Sequence, residues 1–255
     1  MKLRMLGTGS AFSKVFYNTN ALLTKNEQTL MIDCGNTAPR ALYELGISLS
    51  EIDAVLISHI HADHIGGLEE FAFQMKFLHG RMPKLYIADV LVEPLWENAL
   101  KGGLYQEEFP SLEHYFDVYP MKPGVIYEVL PDLKIKLIQT RHIPSKASFS
   151  LIINEGFYYS ADAIFDQEML LSLERDEQIK LFFHDCQLHP PGAVHACLSQ
   201  LLTLPSSIQE KMYLMHYGDD QKEFIGRTGL MQFIEQHTHY LIDPLTFSIQ
   251  SVKME

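Results

Sequence analysis

A six-residue histidine motif constrains this chain more than any other feature of its sequence. The motif reads His-Ile-His-Ala-Asp-His and directly follows the apolar run 54–57, which predicts a buried strand. Alternation along an extended chain places His59 and His61 on one side, and a helix that begins next turns Asp63 and His64 onto a neighbouring position. Crowding four such polar groups beside a buried strand is costly unless they bind a ligand. The motif therefore predicts two adjacent metal ions, each held by one pair.

Length and composition limit the fold class. At 255 residues, with 47% hydrophobic and 20% charged residues, the chain has ordinary globular composition and suffices for one large α/β domain. No internal repeat or linker divides the sequence, so we predict a single domain over residues 1–255. The three cysteines follow no paired spacing, which is typical of reduced thiols rather than of a disulfide framework.

Hydropathy and charge exclude several kinds of partner. The sequence has no apolar run of roughly 18 residues, as a membrane-spanning helix requires, and its first apolar stretch is too short for a signal peptide. We therefore expect a cytoplasmic protein without a membrane partner. The net charge of −12 and the lack of long basic clusters argue against binding to extended nucleic acid. A small phosphate ester remains compatible, because bound cations would reverse the local field.

The predicted elements alternate between strands and helices. The Gly-rich turn after the first strand lacks the GxGxxG spacing of a dinucleotide-binding loop. Strands are predicted at 2–6, 20–23, 29–32, 54–57, 84–88, 125–130, 133–139, 149–153, 157–159, 179–183, 211–215 and 246–249. Helices are predicted before Gly46 and near 68–78, 90–100, 167–173 and 193–202.

Potential metal ligands follow five of these strands. The histidine motif is the first, and the others are His142, Asp162, the pair at 184–185, and His216. The carboxyl ends of strands are where open α/β layers place their sites, so these side chains could meet. One division gives each ion three protein ligands, with Asp162 bridging both: His59, His61 and His142 for one ion, and Asp63, His64 and His216 for the other.

The histidine motif followed by His142, Asp162 and His216 resembles the metallo-β-lactamase superfamily over most of the chain. The resemblance implies an α/β fold, a four-layer αββα sandwich in which two mixed β-sheets pack face to face between helices. It also implies the ligand sets given above and two divalent metal ions, with Zn²⁺ expected and Mn²⁺ or Fe as alternatives. Asp33 matches the position whose carboxylate supports the metal site, although a turn or cap role for it stays open.

Within the superfamily, the loop Gly7–Ala11 and the pair His184-Asp185 resemble ribonuclease Z and related small phosphodiesterases. In that branch the histidine assists attack or protonates the leaving group, which makes His184 the candidate here. The alternative is a strand-end histidine capped by its own Asp185. Only a hairpin separates His142 from Asp162, so the tRNA-gripping arm of ribonuclease Z is missing. The resemblance therefore implies hydrolysis of a small or cyclic phosphodiester.

The expected chemistry is attack by a hydroxide that bridges the two metal ions. Asp63 would orient or deprotonate the attacking water, and His184 would protonate the departing alkoxide. Two alternatives stay open. The same ligands serve a lactonase or another carboxylic ester, thioester or amide hydrolase, and a non-enzymatic metal-binding module would need them too.

Two further features have more than one interpretation. The stretch 101–123 is rich in glycine and aromatic residues, which is typical either of a substrate lid or homodimer contact, or of an insertion with its own packing cluster. His195 lies near a predicted helix start, from which it could reach the site, but we expect it on the surface or in a cap. The expected partner is a small-molecule ester substrate.

Overall fold

Strand pairing organises the chain into two mixed sheets. The computed structural model describes residues 1–252, so the last three positions of the predicted 1–255 domain lie outside the described residues. The strands are β1 Lys2–Gly7, β2 Asn20–Lys25, β3 Gln28–Ile32, β4 Ala54–Ile57, β5 Lys84–Ala88, β6 Asp117–Met121, β7 Ile126–Leu130, β8 Leu133–Thr140, β9 Ser148–Ile153, β10 Phe157–Tyr159, β11 Leu181–Asp185, β12 Met212–Met215, β13 Gln232–Phe233, β14 His239–Ile242 and β15 Ile249–Val252.

Each sheet has an antiparallel half and a parallel half. The first sheet runs β15-β14-β1-β2-β3-β4-β5-β6, and its strands become parallel from β3 onward. The second sheet runs β13-β12-β11-β10-β9-β8-β7, and its strands are parallel from β10 to β13. The parallel halves leave several carboxyl strand ends at one edge, where the candidate site forms.

The two sheets share one core. Leu3 and Met5 of β1 belong to the same buried cluster as Phe157 and Tyr159 of β10. Tyr158, between the last two, instead joins a second cluster on the opposite face of the second sheet. This alternation follows from the two-residue period of a strand and shows that the sheets pack face to face.

Helices cover the outer faces of the sheets. They are α1 Ala38–Glu44, α2 Ala62–Ile65, α3 Leu68–Phe73, α4 Asp89–Leu95, α5 Lys101–Leu104, α6 Gln167–Arg175, α7 Leu198–Leu201 and α8 Ser206–Gln209. Helices α1 and α4 contact strands of the first sheet, whereas buried residues of α6, α7 and α8 pack in the second cluster. The predicted αββα sandwich is confirmed.

Most predicted elements are present with shifted ends. The helix predicted before Gly46 ends there because that glycine has the positive φ of +67° that stops a helix. The helix predicted at 193–202 is wrong in its first half: only Leu198–Leu201 is helical, and a loop replaces the rest. The final strand is Ile249–Val252 rather than 246–249, because Asp243 holds a turn with the amide of Thr246.

The stretch 101–123 packs into the main core rather than standing apart. Leu104, Leu112, Tyr115 and Phe116 are all buried in the shared cluster, and its end forms strand β6. Other segments line the cleft described below. The lid and homodimer interpretations of this stretch stay predictions.

The described helices agree with the sequence in offering no candidate membrane span. Among residues 1–252, no helix combines the length and the apolar character that crossing a bilayer would require.

Candidate metal centre

The histidine motif bridges a buried strand and a short helix. His59 follows β4, and Asp63 and His64 lie in the single turn of α2. The backbone of this turn is fixed from the first sheet, since the amide of Cys34 donates to the carbonyl of His64 at 2.7 Å. The approach is so close that a Cβ on Gly35 would lie 1.8 Å from the Asp63 carbonyl oxygen. Only glycine fits there, so the turn is held rigidly.

The first predicted ligand set comes together. His59 Nε2 lies 3.0 Å from His61 Nδ1, which lies 3.2 Å from His142 Nε2. Asp162 Oδ2 completes the group at 3.7 Å from His59 Nε2 and 3.6 Å from His142 Nε2. Zinc ligands about 2.0–2.1 Å from a tetrahedral ion lie about 3.3 Å from one another. These separations suit one shared cation.

The second predicted set comes together beside the first. His64 Nε2 and His216 Nε2 each lie 3.2 Å from Asp63 Oδ2. Asp162 Oδ1 lies 3.3 Å from His64 Nε2 and 3.4 Å from His216 Nε2. The two oxygens of Asp162 thus face different groups, which is the geometry that a bridging carboxylate requires.

Polar partners orient the imidazole rings from behind. His64 Nδ1 donates to Asp33 Oδ2 at 2.8 Å, and Asp33 is itself fixed by the amide and hydroxyl of Ser58. His142 Nδ1 donates to the carbonyl of Val194 at 2.7 Å. A ring nitrogen that donates in this way leaves the other free to ligate a metal. Asp33 therefore supports the centre, as the family resemblance implies.

The charges of the centre depend on one another. Burial alone would raise the pKa of Asp162, but His216 and His64 hold it well below its usual range. Burial likewise works against protonation of His64, yet the carboxylates of Asp162 and Asp33 raise its pKa well above the ordinary value. Burial lowers the pKa of His59, which favours the neutral imidazole that a metal ion needs.

Two buried atoms in the centre have no hydrogen-bond partner among the described residues. They are His64 Nε2 and Asp162 Oδ1, which face each other across the second group. Unpaired buried polar atoms cost roughly 1–3 kcal/mol each, and a cation would satisfy both. The donor set of imidazoles and carboxylates suits zinc and also manganese or iron. The residues present therefore fit the divalent ions that the fold implies.

His184 does not reach this centre. The prediction of a proton donor at this position requires an accessible ring, but His184 is fully buried and donates through Nδ1 to the carbonyl of Asp185 at 2.9 Å. Alternation along β11 turns His184 towards Tyr158 in the second cluster and Asp185 towards the centre. The structure thus matches the buried, capped alternative.

His195 occupies the place that sequence reasoning gave to His184. Its Nδ1 lies 2.8 Å from Asp185 Oδ2, and its ring centroid lies 4.8 Å from that of His142 and 4.7 Å from that of His216. Burial works to lower its pKa, but the hydrogen bond and charge of Asp185 raise it. The sequence predicts that His195 could reach the site but favours a surface or cap position, because residues 193–197 read as helix rather than as the loop that the structure shows.

Strained backbone marks three positions around the centre. Asp33, Ala161 and His216 have positive φ angles of 59°, 49° and 58°. Non-glycine residues adopt this conformation at a cost of about 1 kcal/mol or more, which surrounding structure must offset. Ala161 directly precedes Asp162, whose two oxygens face different donor groups.

A cleft of about 320 Å³ opens beside the donor groups. His195 and His216 line its floor, and its walls come from segments 10–12, 187–189 and 218–220. A larger cavity of about 520 Å³ lies against β1, but none of the predicted ligands lines it. The smaller cleft is therefore the candidate substrate site.

Comparison with known proteins identifies the family of this chain. A family model described as Anti-Pycsar protein Apyc1 matches residues 1–240. The chain belongs to the Apyc1 family. Anti-Pycsar protein Apyc1 of Paenibacillus harenae is 56% identical over 240 residues, which cover 94% of this chain and 99% of the relative.

Solved structures show how this Apyc1-family chain relates to other folds. The metallo-β-lactamase fold protein YhfI of Bacillus subtilis matches with a TM-score of 0.74 at 16% identity, covering 93% of this chain and 98% of YhfI. A diphosphatase from the PhnP family matches with a TM-score of 0.71 at 18% identity, covering 95% of this chain and 98% of the diphosphatase. The predicted metallo-β-lactamase fold is confirmed, and the chain is a metal-dependent phosphoric diester hydrolase.

Proposed function

We propose that this protein hydrolyses a cyclic phosphodiester of the cyclic nucleotide class, with two divalent cations, in the cytoplasm. The observation that carries the proposal is the position of Asp162, whose two oxygens face two separate donor groups. Two bound cations, with zinc as the expected metal, would activate a water and polarise the phosphoryl oxygens. The name of the family, which sets it against Pycsar, and the size of the cleft favour a small substrate.

Asp63 is the proposed residue that orients the attacking water. In this proposal Asp63 offers one oxygen to the second cation site and leaves the other to orient the attacking water, as the sequence predicts. Its pKa favours this role: burial would raise that pKa, but His64 and His216 hold it below the usual range. Asp63 therefore stays ionised at neutral pH.

His195 is our proton donor to the leaving alkoxide. It is partly exposed to the cleft, and Asp185 holds its ring at 2.8 Å and favours its protonated form. Ring opening of a cyclic phosphodiester releases an alkoxide, which leaves poorly unless it receives a proton. The buried His184 could not deliver one without leaving its pocket.

Substrate turnover with defined metal content tests the function. The purified protein is freed of metal, reloaded with Zn²⁺ or Mn²⁺, and assayed on 3′,5′-cyclic nucleotides, bis(p-nitrophenyl) phosphate and an acyl-homoserine lactone. We expect two ions per chain and ring opening of cyclic nucleotides without lactone opening. Lactone opening in the absence of diester hydrolysis would overturn the proposal in favour of a carboxylic ester hydrolase.

A matched pair of variants separates the centre from the rest of the chain. Asp63→Asn keeps the size of the side chain but removes its charge, so turnover should fall by about a hundredfold or more. His79→Gln alters an exposed histidine outside the cleft and should leave turnover unchanged. Equal activity of both variants would contradict the role of the centre.

A further inference from the structure

An exposed aromatic ring stands at the mouth of the cleft. Phe12 is 88% exposed and lines the same cleft as His195 and His216. It occupies a corner of a turn that is closed by the Ser13 amide donating to the Ser10 carbonyl at 3.1 Å. Such exposure of a large apolar ring beside a reaction centre is typical of a binding surface.

The loop that carries Phe12 is fixed rather than loose. Asp219 accepts hydrogen bonds from the amides of Lys14 at 2.8 Å and Val15 at 2.9 Å, and from the hydroxyl of Ser13. The Ser10 amide donates to the carbonyl of Tyr217 at 3.0 Å. These bonds attach the loop to the segment that follows His216. The ring therefore keeps a defined position relative to the donor groups, which lowers the entropic cost of binding.

Other lining residues of the cleft suit the remainder of a nucleotide. Leu188 and Val194 contribute apolar surface, and His189 Nε2 forms a close hydrogen bond with the Asp220 carboxylate. Phe224 packs edge-on against His189 with ring centroids 5.1 Å apart and holds that pair in place. The cleft is thus lined by imidazoles, apolar side chains and one exposed aromatic ring.

We propose that Phe12 binds the substrate by stacking against its aromatic base while the phosphodiester occupies the donor groups. This inference rests on the proposed function and adds the residue that recognises the base. Every nucleobase presents a π face, so a stacking platform tolerates purines and pyrimidines alike. Phe12 offers no hydrogen-bonding group that would select one base, and we expect broad base tolerance.

Substrates with and without a base test the role of Phe12. Phe12→Ala should raise KM for 3′,5′-cyclic nucleotides by about 5- to 150-fold, since loss of one stacked base costs roughly 1–3 kcal/mol. The kcat should change by less than about twofold, because the ring does not touch the reacting atoms. A ribose 3′,5′-cyclic phosphate that carries a methoxy group instead of a base should be hydrolysed equally by both proteins. Phe12→Trp should restore the low KM.

Binding measurements and a control variant separate stacking from folding. Calorimetry with a cyclic nucleotide phosphorothioate, a slowly hydrolysed analogue, should show the same loss of affinity for Phe12→Ala. Val15→Ala removes another exposed apolar side chain of the same loop outside the cleft, and should change neither KM nor affinity.

Two different results would overturn different statements. Unchanged KM in Phe12→Ala, or an equal loss on the base-free substrate, would overturn the stacking role while the proposed function stands. Failure of the unaltered, metal-loaded protein to open any cyclic nucleotide would overturn the proposed function itself. An equal loss in Val15→Ala would show that the loop acts only through its fold.

Discussion

Two segments bring histidines to the same centre by different means. In the first, residues 59–64, a strand end and one helical turn supply four donors within a few positions, and backbone bonds from the first sheet fix them. In the second, residues 185–195, a carboxylate at a strand end meets an imidazole at the end of an irregular loop. Local sequence encodes the first arrangement. The second exists only after the sheet and loop have folded, so periodicity could not reveal it.

Asp162 is where the two segments meet, and its replacement should have the largest effect. Asp162→Asn keeps the shape but removes the charge that faces both donor groups. We expect metal content to fall below two ions per chain and turnover to fall by about a thousandfold or more. Elemental analysis and single-turnover assays measure both. If the Asp162→Asn protein stays active and still holds two ions per chain, the two donor groups do not depend on Asp162 as a shared ligand.

His195 tests what the second segment contributes. His195→Gln should lower ring opening of a cyclic nucleotide by about a hundredfold, but barely affect bis(p-nitrophenyl) phosphate, whose leaving group departs without a proton. Metal content should not change. The comparison variant His184→Gln, at a buried position, should lower the thermal midpoint and affect both substrates equally. Loss of metal in His195→Gln would show that the loop holds ions rather than supplying a proton.

Asp33 tests how the first segment depends on its support. Asp33→Asn weakens the acceptor of the His64 ring at 2.8 Å without altering any proposed ligand. Loss of such an outer partner typically lowers metal affinity or activity by about 10- to 100-fold. Competition with a chromogenic chelator gives the affinity. An unchanged affinity would mean that the Cys34–His64 backbone bond alone orients the turn.

Metal removal should affect the two segments unequally. Bound ions present at about a hundred times their dissociation constant stabilise a fold by about 2.7 kcal/mol, so chelation should lower the thermal midpoint and added zinc should restore it. Hydrogen exchange should then rise more in segment 185–195 than in segment 59–64, because backbone bonds from the first sheet hold the latter. An equal rise of hydrogen exchange in both segments would contradict the stronger backbone support of segment 59–64.

The smallest expected effect concerns the strained residue before Asp162. Ala161 has φ of +49°, a conformation that glycine adopts without penalty. Ala161→Gly should therefore raise the free energy of unfolding by up to about 1 kcal/mol, as denaturant titration would show, and leave turnover unchanged. A destabilised variant would mean that packing of the Ala161 methyl outweighs its backbone strain.

Much of this molecule could be predicted where signals are local. The motif at 59–64 is recognisable by itself, and positions after predicted strands identify His142, Asp162 and His216. The structure brings all of these residues together. The structure does not support His184 as the proton donor, because adjacent residues of a strand point to opposite faces of the sheet. Of the pair 184–185, Asp185 rather than His184 faces the centre. His195 lies in a loop whose path depends on long-range bonds, such as the Ala196 amide to the Ala163 carbonyl.

The bond between Thr8 and Tyr217 has a consequence for how the protein is made. These side chains are 209 positions apart, and the Thr8 hydroxyl donates to the Tyr217 hydroxyl at 2.7 Å. The first loop of the chain therefore settles only when the segment after His216 reaches it. A ribosome must release the chain as far as this segment before the centre can close. A shortened product that ends before this segment would carry the whole histidine motif and still lack a complete centre.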